Sequence, residues 1–101
     1  MLFEWDPAKG SVNKAKHDIS FEEASELFSG GTDYLEIYDE VHSTEEDRFI
    51  AVGSIERGIV VVVFTERQDN VIRILSARMA TRDEQDQYTT YWREKNEREK
   101  P

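Results

Sequence analysis

The segment GIVVVVFTERQDNVIRILSARMATR, residues 58–82, decides the fold of this chain. It contains an unbroken run of apolar and β-branched residues, Ile59 to Thr65, then turn-forming residues at 68–70 and a second run, Val71 to Ala77. Two such runs joined by a short polar segment are typical of a β-hairpin. The first run is apolar at both parities, which predicts a central strand covered on both faces. In the second run, strict alternation assigns Ile72, Ile74 and Ser76 to one face and Arg73, Leu75 and Ala77 to the other.

Arginines are concentrated in and beside this predicted hairpin. Residues 57–82 hold five arginines and only two acids, whereas residues 1–50 hold 4 Lys and Arg against 13 Asp and Glu. The whole chain carries a net charge of −9, which ordinarily argues against a polyanionic partner. Two interpretations of the arginines stay open, a basic patch on an acidic body and a set of structural ion pairs with nearby carboxylates.

Length and composition restrict the class of protein. A chain of 101 residues forms one domain with a single core. It contains no cysteine, so a disulfide framework and a thiolate metal site are excluded. No apolar run is long enough to cross a bilayer, and the first ten residues, MLFEWDPAKG, lack the layout of a signal peptide. We therefore expect a cytoplasmic protein with no membrane partner.

The residues before the hairpin predict one short strand and two helices. Phe3 to Trp5 is a strand candidate, and Asp6 followed by Pro7 opens a helix that runs to His17. The sequence from Ser20 to Glu23 matches a capping box and opens a second helix, which ends at the glycines 30–31.

Further strands and a third helix complete the pattern. Tyr34 to Tyr38 and Arg48 to Ile55 alternate as strands, and a capping box at residues 81–84 opens a helix toward Lys95. The order β-α-α-β-β-β-β-α predicts an α+β domain with an antiparallel sheet of four to five strands, two N-terminal helices and one C-terminal helix. We assign the domain to residues 1–93 and a polar tail to 94–101.

Several motifs resemble the BrnT family of toxins. They are FEWDPAKG at 3–10, the Asn13…Lys16-His17 pattern, ISFEEASELF at 19–28, His42, Arg48-Phe49, VVVFTER at 61–67 and IRILSARMATRDE at 72–84. BrnT proteins are small ribonucleases of type II toxin–antitoxin systems, with a RelE-like fold. The resemblance covers roughly residues 3–88 and implies neutralisation by a BrnA-like antitoxin, in a higher-order complex, with a homodimer as the free form.

The resemblance implies RNA cleavage without a metal ion or other cofactor, by attack of the ribose 2′-OH on the adjacent phosphate. Such chemistry needs a cation beside the developing phosphorane charge and a group that moves a proton. Guanidinium suits the first task because it binds phosphate oxygens two at a time. We expect the catalytic set to be Arg67, Arg73, Arg78, Arg48, His17 and Glu66, with His42 and Tyr88 as further proton-transfer candidates, and RNA-binding roles for Lys9, Lys16, Arg82 and Tyr88.

Each of these residues also has a structural interpretation. His17 lies where a cation complements the C-terminus of a helix dipole, and His42 lies in an acidic loop where it needs no special role. Glu66 suits a hairpin turn or a salt bridge, and Lys9 and Lys16 suit solvated helix positions. Trp5 and Trp92 are typical packing residues rather than base-stacking platforms.

The acidic body leaves two functions open, because its field repels RNA beyond the basic patch. The first is an active toxin that cleaves RNA in a focused basic cleft and arrests growth. The alternative is a catalytically weak or inactive BrnT-like module that acts by binding a basic, DNA-binding antitoxin or repressor.

Overall fold

The predicted hairpin forms the middle of a five-stranded sheet in the computed structural model of the protein. The structure describes residues 1–31, 33–68 and 70–99, so Asp69 of the predicted turn and residues 100–101 of the predicted tail lie outside the described residues. The elements in chain order are β1 (Leu2–Glu4), α1 (Pro7–His17), α2 (Phe21–Ser29), β2 (Tyr34–Tyr38), β3 (Phe49–Ile55), β4 (Gly58–Arg67), β5 (Val71–Met79) and α3 (Arg82–Glu99). The predicted α+β class is confirmed.

The strands lie in the order β1-β5-β4-β3-β2, so β4 is central, as its sequence predicts. Strands β2 to β5 pair antiparallel, but β1 runs parallel to β5, with Phe3 beside Ile72. The sheet is therefore mixed, not antiparallel throughout. Tight turns force consecutive strands to alternate in direction, whereas β1 is remote from β5 in sequence. No local signal fixes its direction.

One face of the sheet packs against α1 and α2 and forms the core. Its centre contains Phe21 and Leu27 of α2 against Val62 and Phe64 of β4, all of which are at most 1 % exposed. Burying each such side chain contributes roughly 1.5–3 kcal/mol. A Cβ atom at Gly53 would lie 2.5 Å from Leu27 Cδ1 of α2 and 2.8 Å from the Cβ atom of Tyr34 in the neighbouring strand β2, which is fixed to the backbone. A glycine is therefore required at this position of β3.

A β-bulge interrupts the pairing of β4 with β5. Val63 lies opposite Ser76 and Phe64 lies opposite Ile74, so Leu75 is an extra residue in β5. A bulge of this kind shifts the alternation of every residue beyond it. The predicted faces of β5 are accordingly wrong beyond Ile74, since Ala77 is 1 % exposed and belongs to the core with Ile74.

Asn13 of α1 fixes the strand just beyond this bulge. Its side-chain amide donates to the carbonyl of Ala77 at 2.9 Å and accepts from the Ala77 N–H at 3.2 Å. A third bond, 3.1 Å long, runs to the carbonyl of Ile19 in the α1–α2 turn. β1 pairs only with residues 71–73 of β5, so the Asn13 amide supplies the backbone of Ala77 with the partners that a longer β1 would offer.

Helix α3 crosses the opposite face of the sheet. It begins at the predicted capping box, in which Glu84 N–H donates to Thr81 Oγ1 at 3.3 Å and Thr81 N–H donates to Glu84 Oε1 at 2.8 Å. Farther along the helix, Tyr88 donates its hydroxyl to the carbonyl of Asp33 at 3.1 Å, and Lys95 pairs with the Asp33 carboxylate. The helix continues to Glu99, so residues 94–99 of the segment assigned as a tail are helical.

Candidate functional site

The face of the sheet that α3 crosses carries the strand-borne arginines. On this face α3 covers one end, where Val52 of β3 and Val61 of β4 are 5 % and 4 % exposed. Beyond α3 no described helix lies over this face. We call this part of the sheet the open face; its residues, by strand alternation and register, are Glu4, Ile50, Val63, Thr65, Arg67, Arg73, Ser76 and Arg78, with Arg48 at its margin. Its arginines are partly exposed, whereas Thr65 between them is only 2 % exposed.

The bulge at Leu75 determines that two arginines share this face. Arg73 and Arg78 are five positions apart, a spacing that puts two side chains on opposite faces of a regular strand. The extra residue restores them to one face, since Arg73 lies opposite Thr65 and Arg78 lies opposite Val61, both on the open side of β4. The sequence predicts arginines on rigid strands, and the bulge brings these two together.

A single carboxylate serves two of the arginines. Glu4 Oε1 lies 3.3 Å from Arg67 Nη1, and Glu4 Oε2 lies 3.5 Å from Arg73 Nη1. All three side chains are between 29 % and 51 % exposed. This cluster therefore holds two guanidinium groups for one carboxylate and keeps a surplus positive charge within reach of solvent.

Arg78 has a carboxylate partner of its own. Its Nη1 and Nη2 atoms lie 2.7 Å and 2.8 Å from the two oxygens of Glu84 at the start of α3. This two-pronged hydrogen bond lowers the pKa of Glu84 to about 2, with help from the Thr81 N–H, and raises the pKa of Arg78. The pair holds the Arg78 guanidinium in one orientation at the boundary between α3 and the open face.

Arg48 reaches the same surface from the end of the 39–47 loop. It precedes β3, and the pairing of Phe49 with Phe64 places Arg48 beside Thr65 on the open side. Its Nε atom is buried and has no hydrogen-bond partner among the residues that the structure describes. An unsatisfied buried donor costs roughly 1–3 kcal/mol, so Arg48 is poorly explained as a stabilising residue of the sheet.

Two of the predicted proton-transfer residues lie away from the open face. His17 ends α1, which packs on the core face, and it follows Lys14 and Lys16 in a basic last turn that suits the helix dipole. Glu66 lies on the core side of β4, by its pairing with Ile72. Its charge helps to raise the pKa of Glu36, after the larger effect of burial. His17 therefore lies away from the arginine cluster, whereas Glu66, although on the core side of its strand, lines a depression that it shares with Glu4 and Arg67.

The other two candidates for proton transfer have partners elsewhere. His42 Nδ1 lies 2.9 Å from Asp39 in the exposed 39–47 loop. The Tyr88 hydroxyl donates to Asp33, and burial, followed by the charge of Asp33, raises its pKa. Neither group lies among the open-face residues.

The proposed RNA-binding cations are exposed but spread over the molecule. Lys9 and Lys16 lie on the solvent side of α1, whereas Arg82 is the first residue of α3 and lies four positions from Arg78. Only Arg82 is therefore near the open face. Trp5 packs edge-on against Phe21, with ring centroids 6.0 Å apart, and Trp92 is 38 % exposed on α3.

Sequence reasoning missed Glu4 as a site residue. Its strand has only three residues, and its pairing with β5 is parallel and distant in sequence, so no turn or periodicity signals that Glu4 meets Arg67 and Arg73. Glu84 was detectable, because the capping box identifies it, but its contact with Arg78 depends on the bulge.

The open face continues into a shallow depression of about 600 Å³ beside the 39–47 loop. Its lining includes Glu4, Thr65, Glu66 and Arg67 of the strands and Glu46 and Asp47 of the loop. Within residues 1–31, 33–68 and 70–99, no three His, Asp or Glu side chains are arranged to hold a metal ion. In the same part of the chain no helix is long and apolar enough to cross a membrane.

Comparison with known proteins identifies the family. The chain matches no curated protein. Its fold is similar to that of the crystallised ribonuclease toxin BrnT of Brucella abortus, with a TM-score of 0.61 and 23 % sequence identity over 81 % of this chain and all of that one. Residues 5–84 match the family model described as ribonuclease toxin, BrnT, of type II toxin-antitoxin system. That match spans most of the chain and includes strands β2 to β5 and both core helices; of the strands, only β1 lies outside it. This protein therefore belongs to the BrnT family of ribonuclease toxins.

Proposed function

We propose that this protein is an endoribonuclease toxin that cleaves RNA on the open face and thereby arrests growth. The observation that carries the proposal is that Arg67, Arg73 and Arg78 share the open face of the sheet, which the bulge at Leu75 makes possible. Membership of a ribonuclease toxin family supports the same activity.

The chemistry we propose is transesterification without a metal ion. The ribose 2′-oxygen attacks the adjacent phosphorus, the bond from phosphorus to the 5′-oxygen breaks, and a 2′,3′-cyclic phosphate and a 5′-hydroxyl result. Negative charge grows on the non-bridging oxygens in the transition state, where preorganised guanidinium groups stabilise it most. We propose that Arg73 and Arg67 bind one phosphate, with Arg78 and Arg48 on either side.

A type II toxin family implies an antitoxin partner, and we propose that it is a BrnA-like protein that covers the open face. The acidic body, at −9 overall, suits a partner with a basic DNA-binding region. Covering the arginine cluster would block phosphate binding directly. We further propose that the two proteins form a higher-order complex and that the free toxin is a homodimer.

One observation favours a second function. Glu4 and Glu84 already neutralise part of the arginine charge, as expected if these arginines stabilise the fold of a catalytically weak module. Such a module would act by binding a DNA-binding antitoxin or repressor and would not need RNA.

The two functions are separated by incubating purified, antitoxin-free protein with RNA in EDTA, with and without ribosomes. The toxin function predicts fragments with 2′,3′-cyclic phosphate and 5′-hydroxyl ends, and growth arrest on controlled expression in bacteria. Intact RNA under both conditions, together with tight binding to a basic ribbon-helix-helix protein encoded beside the gene, would establish the second function instead.

A further inference from the structure

Glu4 occupies a position on the open face that no structural need explains. It ends β1, a strand of three residues at the edge of the sheet, and its carboxylate lies between Arg67 and Arg73. Exposed ion pairs of this kind contribute little to stability. The contacts instead fix the two oxygens of Glu4 in the centre of the arginine cluster.

The arginines of the open face outnumber their carboxylate partners, so a phosphate can bind beside Glu4. The face holds Arg67 and Arg73 around Glu4 and Arg78 against Glu84, with Arg48 at its margin. Arg73 Nη1 lies 3.5 Å from Glu4 Oε2, and its guanidinium has five N–H donors, so donors remain for an anion. A phosphate held by those donors places the ribose that carries it within hydrogen-bond reach of Glu4, because the 2′-oxygen and the 3′-phosphate are on adjacent carbons.

Other proton acceptors near the site are less suitable. Glu84 has its pKa lowered to about 2 by Arg78, so it holds a proton too weakly to act as a base near neutral pH. Asp47 accepts a hydrogen bond from the Tyr38 hydroxyl at 2.9 Å. His17 and Glu66 lie toward the core face, as described above. Among the described acidic residues, Glu4 alone contacts two arginines of the open face.

We infer that Glu4 is the general base of RNA cleavage, an assignment that rests on the proposed ribonuclease function. The Glu4 carboxylate removes the proton of the 2′-hydroxyl while the 2′-oxygen bonds to phosphorus. As the bond from phosphorus to the 5′-oxygen breaks, that oxygen takes a proton from water. The arginines that hold Glu4 also bind the phosphate, so nucleophile, base and charge stabilisation are positioned by one cluster.

The charged groups around Glu4 determine what a pH profile of the reaction measures. Arg67 of β4 and Arg73 of β5 contact it directly, and Glu46, Asp47 and Glu66 line the same depression. A profile of kcat against pH therefore needs a variant that removes Glu4 and a matched variant that removes one of the neighbouring carboxylates.

The test compares Glu4→Gln with Glu46→Gln, which removes a loop carboxylate of the same depression, using a single-stranded RNA substrate and its non-cleavable 2′-O-methyl analogue. Glutamine keeps the shape of Glu4 and removes its basicity. We expect Glu4→Gln to lower kcat by roughly 10²–10⁴-fold, to lose the acidic limb of the pH profile, and to bind the analogue as tightly as wild type or more tightly. Glu46→Gln should keep both the rate and the limb.

A role limited to orienting the arginines would give the opposite signature. Glu4→Gln would then weaken binding of the analogue and leave the acidic limb in place, which would overturn the assignment. Glu4→Asp keeps a carboxylate and provides a second test should Glu4→Gln not fold. We expect Glu4→Asp to reduce kcat and to retain the acidic limb. Loss of the limb in this variant would contradict the assignment. If wild type cleaves and Glu4→Gln cleaves equally, the assignment alone is wrong, whereas absence of cleavage by wild type overturns the proposed function as well.

Discussion

At the scale of single residues, polar side chains on α1 and α3 fix the backbone and the guanidinium groups of β5. Asn13 bonds to both polar groups of the Ala77 backbone, and Glu84 holds Arg78 by two hydrogen bonds. The first contact holds the backbone at the strand edge and the second holds a side chain on the open face, on consecutive residues of β5. Together they position Arg78 relative to the core and to the open face.

Replacing Asn13 by Ala should destabilise the fold. The substitution leaves the N–H and C=O groups of Ala77 without their side-chain partners in a buried place, and each unsatisfied group costs roughly 1–3 kcal/mol. Urea unfolding followed by circular dichroism measures the change. Asn96→Ala, at an exposed position of α3, is the matched control and should stay within about 0.5 kcal/mol of wild type. Equal stability of the two variants would show that the Asn13 bonds do not support β5.

Acid should weaken the fold through Glu84. Its pKa is lowered from 4.5 to about 2 in the folded protein, so its stabilising effect is complete above pH 4.5 and is lost as the pH falls toward 2. Thermal melts of wild type and Glu84→Gln should therefore differ most near neutral pH and converge at pH 2. Glu94→Gln, on the exposed side of the same helix, is the control. A constant difference between wild type and Glu84→Gln at every pH would contradict the proposed linkage.

At the scale of elements, the sequence predicts what local patterns control and misses what distant contacts control. The capping boxes at Ser20 and Thr81 place two helix starts correctly, and alternation places β2 and β3. The bulge at Leu75 escapes detection because the extra residue is apolar, as a paired strand residue would be. The parallel pairing of β1 escapes for a different reason, since three residues carry no periodic signal and the partner strand is some seventy positions away. Glu4 was missed as a consequence.

Deleting residues at the bulge tests its role in placing Arg78. Deletion of Leu75 alone should leave a regular strand in which Ser76 still faces Val63 and Arg78 still faces Val61, so the protein should fold. Deletion of Leu75 and Ser76 together should turn Arg78 toward the core and Ala77 away from it, since a one-residue shift exchanges the faces of a strand. We expect the double deletion to lose the dispersed amide spectrum in NMR. A folded double deletion with Arg78 exposed would disprove the bulge account.

At the scale of the whole molecule, a small cationic surface lies on an acidic body. The net charge of −9 repels RNA at long range, but this repulsion is screened beyond about 8–10 Å at physiological ionic strength. Under the proposed function, the open-face arginines meet RNA at contact distance, where screening is weak. Such a protein should bind RNA that is presented to it, for example on the ribosome, rather than collect it from solution.

Salt dependence of RNA binding measures how many phosphates the open face contacts. Two to four contacts with single-stranded RNA predict a slope of log K against log salt of about −1.4 to −2.8, and Arg73→Ala should reduce its magnitude by about 0.7. Binding of a 2′-O-methyl RNA oligonucleotide at several salt concentrations gives the slope. Arg57→Ala, which removes an arginine paired with Asp18 and Glu23, should leave it unchanged. Equal slopes for both variants and wild type would place RNA elsewhere on the protein.

The central claim is that the open-face arginines serve RNA cleavage rather than the stability of the sheet. Its most direct test measures the melting temperature and the rate of RNA cleavage in the same preparations of Arg67→Ala, Arg73→Ala and Arg78→Ala, with Arg57→Ala as the ion-paired control. We predict a loss of roughly 10²–10³-fold in cleavage for Arg73→Ala and Arg78→Ala, because a preorganised charge contact contributes several kcal/mol at the transition state. Arg67→Ala and Arg73→Ala should melt close to the control. Arg78→Ala also leaves Glu84 without its partner and should melt earlier, so its cleavage rate is compared per folded molecule. Variants that melt early while their folded fraction cleaves RNA at the wild-type rate would contradict the claim that these arginines serve cleavage.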